Sequence, residues 1–494
     1  MKKLFKSFRL TIKQILNIYP ISFYVILGII TIRLLDNLNY NGPFNDEAIY
    51  VVVGKLGLFQ HDWRSFNADA WVSGWQHLYP ALTALAYEIY GIAGSRLLSV
   101  IAGILLCETL VLIAVSLSGF QKLPAQIVAG ITLLTVGFSA TFYFISRLAT
   151  MDIFSFFFTF LGILLILKTT NTPWRNGKIL FLAAVCTAIS VLFKYASVIL
   201  IPAVFLFGLT QTKSHNTSWR RMFLIYFVSP LIFLLALFTL IHFQSLTTYF
   251  QYEVEGVHSE VSKVLSEIWT SMRYLIPLWV IGIIGLIKEK KWRTLVTLTF
   301  LAITIPAYHI LTVREQTLNK HIIVTIAAAG ITSAIGISNL IMPNRFKLHY
   351  ISGIISFLLL GAYIFLSIPD GKNFNVSWTD TRPAMRFFAD HSQNGDRILT
   401  ESGAAIILAS YTNNHPEHIT TFDWFLYRRL EGDEAYTAAV KDGYFSYVQL
   451  EDPSEIKEEH VANLSDKIRS TIGNSYTVAM QKDGLIVYQR KSEL

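Results

Sequence analysis

The feature that most restricts this chain is a series of apolar stretches, each about as long as a bilayer is thick. A helix needs roughly 20 apolar residues to cross a hydrocarbon core ~30 Å thick, and lipid forces each crossing segment to satisfy its own backbone hydrogen bonds. Scanned on that rule, the sequence predicts about eleven transmembrane helices, near 19–35, 96–117, 124–143, 150–167, 178–193, 196–209, 222–242, 274–287, 294–311, 321–341 and 350–368. Composition agrees. Apolar residues make up 53% of the 494 and charged residues only 15%, against about a quarter charged in a soluble globule. An ordinary soluble protein is excluded.

Charge divides the chain. Residues 1–369 hold 28 Lys/Arg and 14 Asp/Glu, whereas residues 370–494 hold 13 and 19. The basic excess therefore belongs to the apolar part, where it suits a bilayer surface. No soluble segment carries a basic patch with interleaved aromatics, so nucleic acid is not an expected partner. Lys and Arg are retained on the cytoplasmic side of a membrane. With the N-terminus inside, 18 of the 28 basic residues fall in short inner segments, from Lys2, Lys3, Lys6, Arg9 and Lys13 through Lys122 and Lys213 to Arg345 and Lys347. An odd number of crossings then leaves 370–494 outside the cell. The expected organisation is a transmembrane module over 1–369, with long outer loops at 36–95 and 243–273, and an extracytoplasmic α/β domain over 370–494. That tail alternates helix-like stretches (381–391, 433–442, 454–472) with strand-like ones (397–400, 444–450, 477–480, 485–489). Within the first outer loop, 80–91 is apolar at helical spacing but too short to span, which suits a helix lying along the interface. Cys107 and Cys186 both sit in apolar runs and define no disulfide framework.

The candidate chemistry faces outward. Asp46 and Glu47 follow the first span by about ten residues, where paired acids take a proton or hold a metal; solvated acids or helix N-terminal charges are the plainer reading. Asp152 opens the fourth span and is followed by an uncharged apolar run. A carboxylate at that depth is costly without a partner or watery cavity and points to function, the plainer reading being an ion pair with Arg147. Glu108, in mid-span, reads as a structural group hydrogen-bonded to a neighbouring helix. Lys194, Arg314 and Lys320, with His321 adjacent, place cations on the same outer side; snorkelling explains each singly, and together they suit an anionic lipid phosphate. No GxxxxGK[ST], GxGxxG, HExxH or GxSxG pattern occurs. Nucleotide-driven transport and the common hydrolase chemistries lose support.

These residues resemble a known family. The chain is similar to the GT-C superfamily of integral-membrane glycosyltransferases, in the bacterial branch near protein O-mannosyltransferases and lipid A aminoarabinose transferases. The resemblance covers about residues 20–340. It rests on the acid pair Asp46-Glu47, the loop stretch HLYPALTALAYEIYG ending near Ser95-Arg96, the SRxxxxD element (Ser146, Arg147, Asp152) and LFKYAS at 192–197. The tail resembles the soluble α/β domain that many bacterial members carry. The resemblance implies sugar transfer from a polyprenyl-phosphate donor, with Asp46 as the principal catalytic carboxylate and Asp152 as a second active-site acid. Where relatives show a Lys-Pro-Pro-like stretch, this chain has Trp75-Gln76-His77-Leu78-Tyr79-Pro80, so Lys320, Arg314, Lys194 and Arg147 are the donor-phosphate candidates. The stretch YFQYEVEGVHSEV lacks the arginine often found there, and His77, Tyr79 and His258 are candidate acceptor-side groups.

A polyprenyl phosphate leaves as a stabilised anion, so the protein's tasks are to deprotonate an acceptor hydroxyl and neutralise charge on the phosphate. Asp46 is the expected base, with Glu47 or Asp152 orienting the acceptor or sharing a divalent cation such as Mg²⁺ or Mn²⁺ between Asp46 and Asp152. Direct displacement inverts the anomeric carbon. The acceptor is a glycan, a lipid or a protein hydroxyl. The competing readings are a lipid or solute transporter or flippase, which would favour internal repeats and broken helices in matched halves, and a non-catalytic scaffold binding envelope polymers.

Overall fold

A computed structural model describes residues 21–63, 68–121, 123–169, 173–210, 217–255, 259–315, 317–341, 348–374, 378–410, 416–422, 425–453 and 459–491. His258 and the basic residues expected inside at Lys2, Lys3, Lys6, Arg9, Lys13, Lys122, Lys213, Arg345 and Lys347 lie outside them.

The chain divides into two compact units. One comprises Met1–Leu38, Ser73–Leu78 and Arg96–Phe374; the other comprises Asn39–Val72, Tyr79–Ser95 and Asn375–Leu494. Among the described residues six helices are long and apolar enough to cross a membrane: Tyr79–Ser118, Asn176–Phe193, Trp219–Ile241, Trp292–Thr312, Leu318–Ile341 and Ile351–Phe374. Val261–Met272 and Ile276–Lys288, bent by 75°, make a seventh, and four shorter apolar helices occur at Ser22–Leu35, Leu123–Gly137, Asp152–Leu167 and Tyr195–Thr210. They occupy the same eleven stretches that the hydropathy pattern marks. The chain is a helical membrane protein.

The elements used below are α1 (Ile21–Leu35), α2 (Asn45–Phe59), α3 (Tyr79–Ser118), α4 (Asp152–Leu167), α5 (Pro173–Phe193), α6 (Trp292–Thr312) and α7 (Ala404–Ser410). Helix α3 is broken at Tyr90 and Gly91, whose φ/ψ are non-helical, with Gly91 at φ 59°. Only glycine takes that conformation at little cost, so the interfacial stretch and the span that follows become two segments. The expected span over 124–143 is also interrupted. Its first helix ends at Gly137, and Ser139 starts a new one, Ala140–Ile145, by accepting the Phe142 N–H at 3.1 Å, an N-cap that satisfies one of the free amides of a helix start. In the first unit Leu318–Ile341 is enclosed by its neighbours. It is small-residue-rich where it meets Ile276–Lys288, and a Cβ on Gly336 would lie 1.9 Å from the Gly282 carbonyl oxygen. That approach is open only to glycine and draws the two backbones together. Glu108 stands on an exposed face of α3, and no hydrogen bond to a neighbouring helix holds it among the described residues. This corrects the sequence reading: the carboxyl is carried on the helix surface.

The second unit contains a mixed α/β tail. Besides a short two-stranded pair, Leu426–Tyr427 with Leu430–Glu431, it has the strands β1 (Ile398–Thr400), β2 (Ile419–Thr421), β3 (Tyr447–Glu451), β4 (Tyr476–Lys482) and β5 (Leu485–Arg490). Among the described residues β1 to β5 form a five-stranded sheet in the order β2-β1-β3-β5-β4. β1 is parallel to β2 and β3, whereas β5 is antiparallel to β3 and β4. The β4–β5 hairpin turns at Asp483 (φ 50°) and Gly484 (φ 77°), the paired positive φ that an Asp-Gly turn supplies. Leu399, Val448, Leu450, Tyr436, Val440 and Ile468 build the buried core between sheet and helices.

Most of the expected first outer loop, Asn39–Val72 and Tyr79–Ser95, belongs to the same unit as this tail. Asn41 Nδ2 donates to the Trp378 carbonyl at 2.7 Å, the Trp378 indole N–H donates to the Gly42 carbonyl at 3.2 Å, and the Gly42 N–H donates to Asp380 Oδ1 at 3.0 Å. Helix α2 packs on α7. Burial opposes ionisation of Asp380, but hydrogen bonds and charge from Arg382 outweigh it and hold the carboxyl below the usual carboxylate range.

Candidate functional site

The acids singled out in the sequence fall into two groups, one in each unit. In the second unit Asn45, Asp46 and Glu47 form the first turn of α2. Glu47 is fully buried, and its Oε2 accepts the Phe44 N–H at 2.8 Å. This is the reciprocal half of a capping box: a glutamate at the third helical position reaching back to the residue before the helix. Asp46, between Asn45 and Glu47, is half-buried. It stands in the turn that the Glu47 capping bond closes. Tyr79, at the start of α3, is buried edge-on against Tyr50, ring centroids 5.6 Å apart.

In the first unit Asp152 opens α4 and is fully buried. Its Oδ1 accepts a hydrogen bond from the Lys194 ammonium, which is itself 5% exposed. Asp152 Oδ2 has no partner, His321 Nε2 lies 3.8 Å from Oδ1, and Lys320 is within electrostatic reach. Hydroxyls fasten the helices below this pair: Ser155 donates to the Ser190 carbonyl at 2.9 Å, and Thr159 and Ser190 share a bond of 2.6 Å. Lys194 is thus carried on the turn after α5 while Asp152 starts α4, and the Ser/Thr ladder sets their register. A cavity of about 10 Å³, lined by Lys194, Ser197 and His321 among others, adjoins the cluster, room for roughly one water.

His321 has an assignable tautomer. His309 Nδ1 lies 2.7 Å from the Arg314 carbonyl oxygen, which only accepts, so Nδ1 carries the proton and Nε2 is an acceptor. His309 Nε2 lies 3.0 Å from His321 Nδ1, so that nitrogen donates. His321 Nε2 is left as a bare lone pair beside Asp152 and Lys194. The assignment follows from the hydrogen-bond network.

Arg147 goes elsewhere. Its guanidinium donates to the Tyr143 hydroxyl and to the carbonyls of Asp36 and Asn37, the last at 3.0 Å. Arg96 acts similarly, fully buried and bonded to the Leu38 carbonyl at 2.8 Å. Both arginines clamp the chain as it leaves α1. His77 sits in Ser73–Leu78 of the first unit, with Trp75 5.8 Å away by ring centroid. Arg314 presents its carbonyl to His309, and His258 lies outside the described residues.

No protein-family model and no curated protein matches the chain. Solved structures do match by fold. ArnT from Cupriavidus metallidurans, in the apo state, superposes with a TM-score of 0.64 at 12% identity, covering 95% of this chain and 97% of that one; it is also solved bound to undecaprenyl phosphate. The archaeal oligosaccharyltransferase AglB from Archaeoglobus fulgidus, in complex with an inhibitory peptide and a dolichol-phosphate, superposes at 0.59 and 13% identity over 95% of this chain and 74% of that one. An oligosaccharyltransferase of the same organism is solved with Zn and sulfate. Arabinofuranosyltransferase AftD from Mycobacteria gives 0.57 at 13% identity, over 96% of this chain and 40% of that one. The chain therefore shares its fold with ArnT, AglB and AftD, and carries a C-terminal α/β region.

His309 was not legible as part of this cluster: a lone histidine in an apolar helix signals nothing by itself. His321 carried a weak signal through its place beside Lys320.

Proposed function

We propose that the chain is a glycosyltransferase that moves a sugar from a polyprenyl-phosphate donor to an acceptor hydroxyl at the outer face of the membrane. The observation that carries the reading is the buried Asp152–Lys194–His321 cluster at the start of α4, in a chain with the GT-C fold. Buried ionisable groups at membrane depth mark function by default. The related ArnT and AglB structures hold polyprenyl-type phosphates, and the same class of donor suits Lys320 and Arg314 here, with Lys194 setting the potential around Asp152. A transporter is disfavoured: no internal repeat is legible in the sequence, and the structural neighbours are transferases.

In this reading Asp46 takes the acceptor proton as the hydroxyl oxygen attacks the anomeric carbon. The bond from that carbon to the phosphate oxygen breaks, the configuration inverts, and the electron pair leaves on the polyprenyl phosphate. Cations absorb the charge growing there. Glu47 positions Asp46 by locking the turn. The Lys/Arg-rich short segments support a cytoplasmic N-terminus and an extracytoplasmic tail. A divalent cation fits poorly at Asp152. Lys194 occupies Oδ1, Lys320 adds like charge, and among the described residues no three His, Cys, Asp or Glu side chains group as ligands. The reaction is accordingly written without a metal at Asp152.

The test is transfer or release of label from a radiolabelled polyprenyl-phosphate sugar by purified protein. Asp46→Asn is expected to lose about 10²–10⁴ in turnover, the range of a general base, with donor affinity held. Wild-type turnover retained in that variant removes Asp46 from the role. Movement of lipid between leaflets without sugar transfer overturns the enzyme reading.

A further inference from the structure

We propose that the second unit carries a binding site for a neutral sugar residue of the acceptor, in a cavity of about 450 Å³ between the start of α2 and the tail domain. The proposal deepens the transferase reading and rests on it. The volume falls among small-molecule sites, about 300–1,000 Å³, and the lining has two distinct sides.

One side is aromatic. Trp71 is 44% exposed at the cavity wall. Trp378 is fixed in plane: its indole N–H bonds the Gly42 carbonyl, and Tyr40 and Phe44 pack edge-on at 5.9 and 5.3 Å. A flat ring held in place, as that of Trp378 is, binds the C–H face of a pyranose at little entropic cost.

The other side is made of oriented acceptors. Both oxygens of Glu451 are held, Oε2 by the Thr379 hydroxyl at 2.9 Å and Oε1 by the Ser402 hydroxyl at 3.1 Å. Glu401 Oε2 in turn accepts the Glu451 N–H at 2.7 Å. Ionised carboxylates only accept hydrogen bonds, so the ligand must bring O–H or N–H donors. Among the described residues the lining includes no lysine or arginine. His460 is the one imidazole in that lining among the described residues, set against the two carboxylate side chains of Glu401 and Glu451, so the lining favours a ligand rich in donors over a phosphate or carboxylate, and a neutral sugar offers both a ring of hydroxyl donors and an apolar face. Asn45 also lines the cavity, and Asp46 is the next residue. A sugar seated here is held beside the first turn of α2, the turn that carries the proposed base.

The experiment uses the full chain in lipid nanodiscs and saturation-transfer NMR. The probes are cellobiose, mannobiose and chitobiose, with glucose 6-phosphate and a Ser/Thr-containing peptide as competitors. At least one neutral disaccharide is expected to bind, with Trp71→Ala and Glu451→Gln each weakening it tenfold or more, and neither competitor displacing it. The proposal is overturned if no disaccharide shows binding sensitive to these substitutions, or if the phosphosugar or peptide competes as well as the neutral sugars do. Hydrolysis of the labelled polyprenyl-phosphate sugar by wild-type protein separates the two readings, since it needs no acceptor. Donor turnover without disaccharide binding ends the cavity assignment alone. Disaccharide binding without donor turnover ends the transferase reading.

Discussion

Asp152 and Lys194 are 42 residues apart in sequence and form a buried ion pair between the first residue of α4 and the turn that follows α5. Removing one partner strands the other charge, at a cost of about 3–5 kcal/mol, whereas replacing both with apolar groups is often near neutral. Asp152→Leu and Lys194→Met are therefore expected to lower thermal stability sharply as single variants. The double variant should recover most of the loss. If Asp152 also serves the reaction, the double variant stays inactive although folded, and a melting curve read beside donor turnover distinguishes the two contributions.

The His309–His321 link makes a second separable claim. His309→Ala leaves the Arg314 carbonyl and the His321 Nδ1–H without their observed partners, and an unsatisfied buried group costs about 1–3 kcal/mol. The Nε2 lone pair of His321 is also no longer fixed. Turnover is expected to fall further in His309→Ala than in a control destabilised equally elsewhere, and His309→Gln, which keeps a donor and an acceptor, should restore part of both. Equal loss in variant and control would reduce His309 to packing.

Much of the fold was legible because hydropathy is a local signal. Each span announces itself over its own 20 residues, and the tail's helices and strands over theirs, down to the Asp-Gly turn of the last hairpin. Partner choice was not legible. Arg147 lies only five residues from Asp152, yet its guanidinium is taken by carbonyls at Asp36 and Asn37, and Lys194 answers the carboxylate instead. Nothing near Arg147 in sequence reports on those carbonyls. For the same reason the union of the first outer loop with the tail was hidden. It depends on contacts such as Asn41 with Trp378 and Gly42 with Asp380, more than 330 residues apart, each made by a residue type common in any loop. Short helix α7 and strand β2 were missed because they hold few residues and show no period.

Acidity tests the loop contact through Asp380. Its folded value lies below the usual range, ~3.9 for an aspartate. Its contribution to stability is thus complete above that range and is lost as pH falls through the folded value. Hydrogen exchange at the Gly42 amide, which Asp380 accepts at 3.0 Å, is expected to accelerate on acidification beyond the intrinsic change in exchange rate. Asp380→Asn should remove most of that extra pH dependence. An unchanged profile in the variant would assign the protection to Trp378 and Arg382 alone.

Gly42 sets how closely the loop approaches the tail. A Cβ there would lie 2.2 Å from Thr381 Oγ1, 2.9 Å from the Thr381 nitrogen and 3.2 Å from the Arg382 nitrogen. Two of the three atoms are backbone and cannot swing aside, so Gly42→Ala must open the contact, at about 1–3 kcal/mol for overpacking. Opening it loosens the Asn41 and Trp378 bonds that hold the chain just before α2, and with them the turn that carries Asp46. Gly42→Ala should therefore speed amide exchange over 39–45 and lower transfer to acceptor. Adding Thr381→Ala relieves only the hydroxyl clash, since the backbone nitrogen remains at 2.9 Å, and its rescue is expected to be partial. Full rescue by Thr381→Ala would show that the side chain, not the backbone approach, demands glycine here.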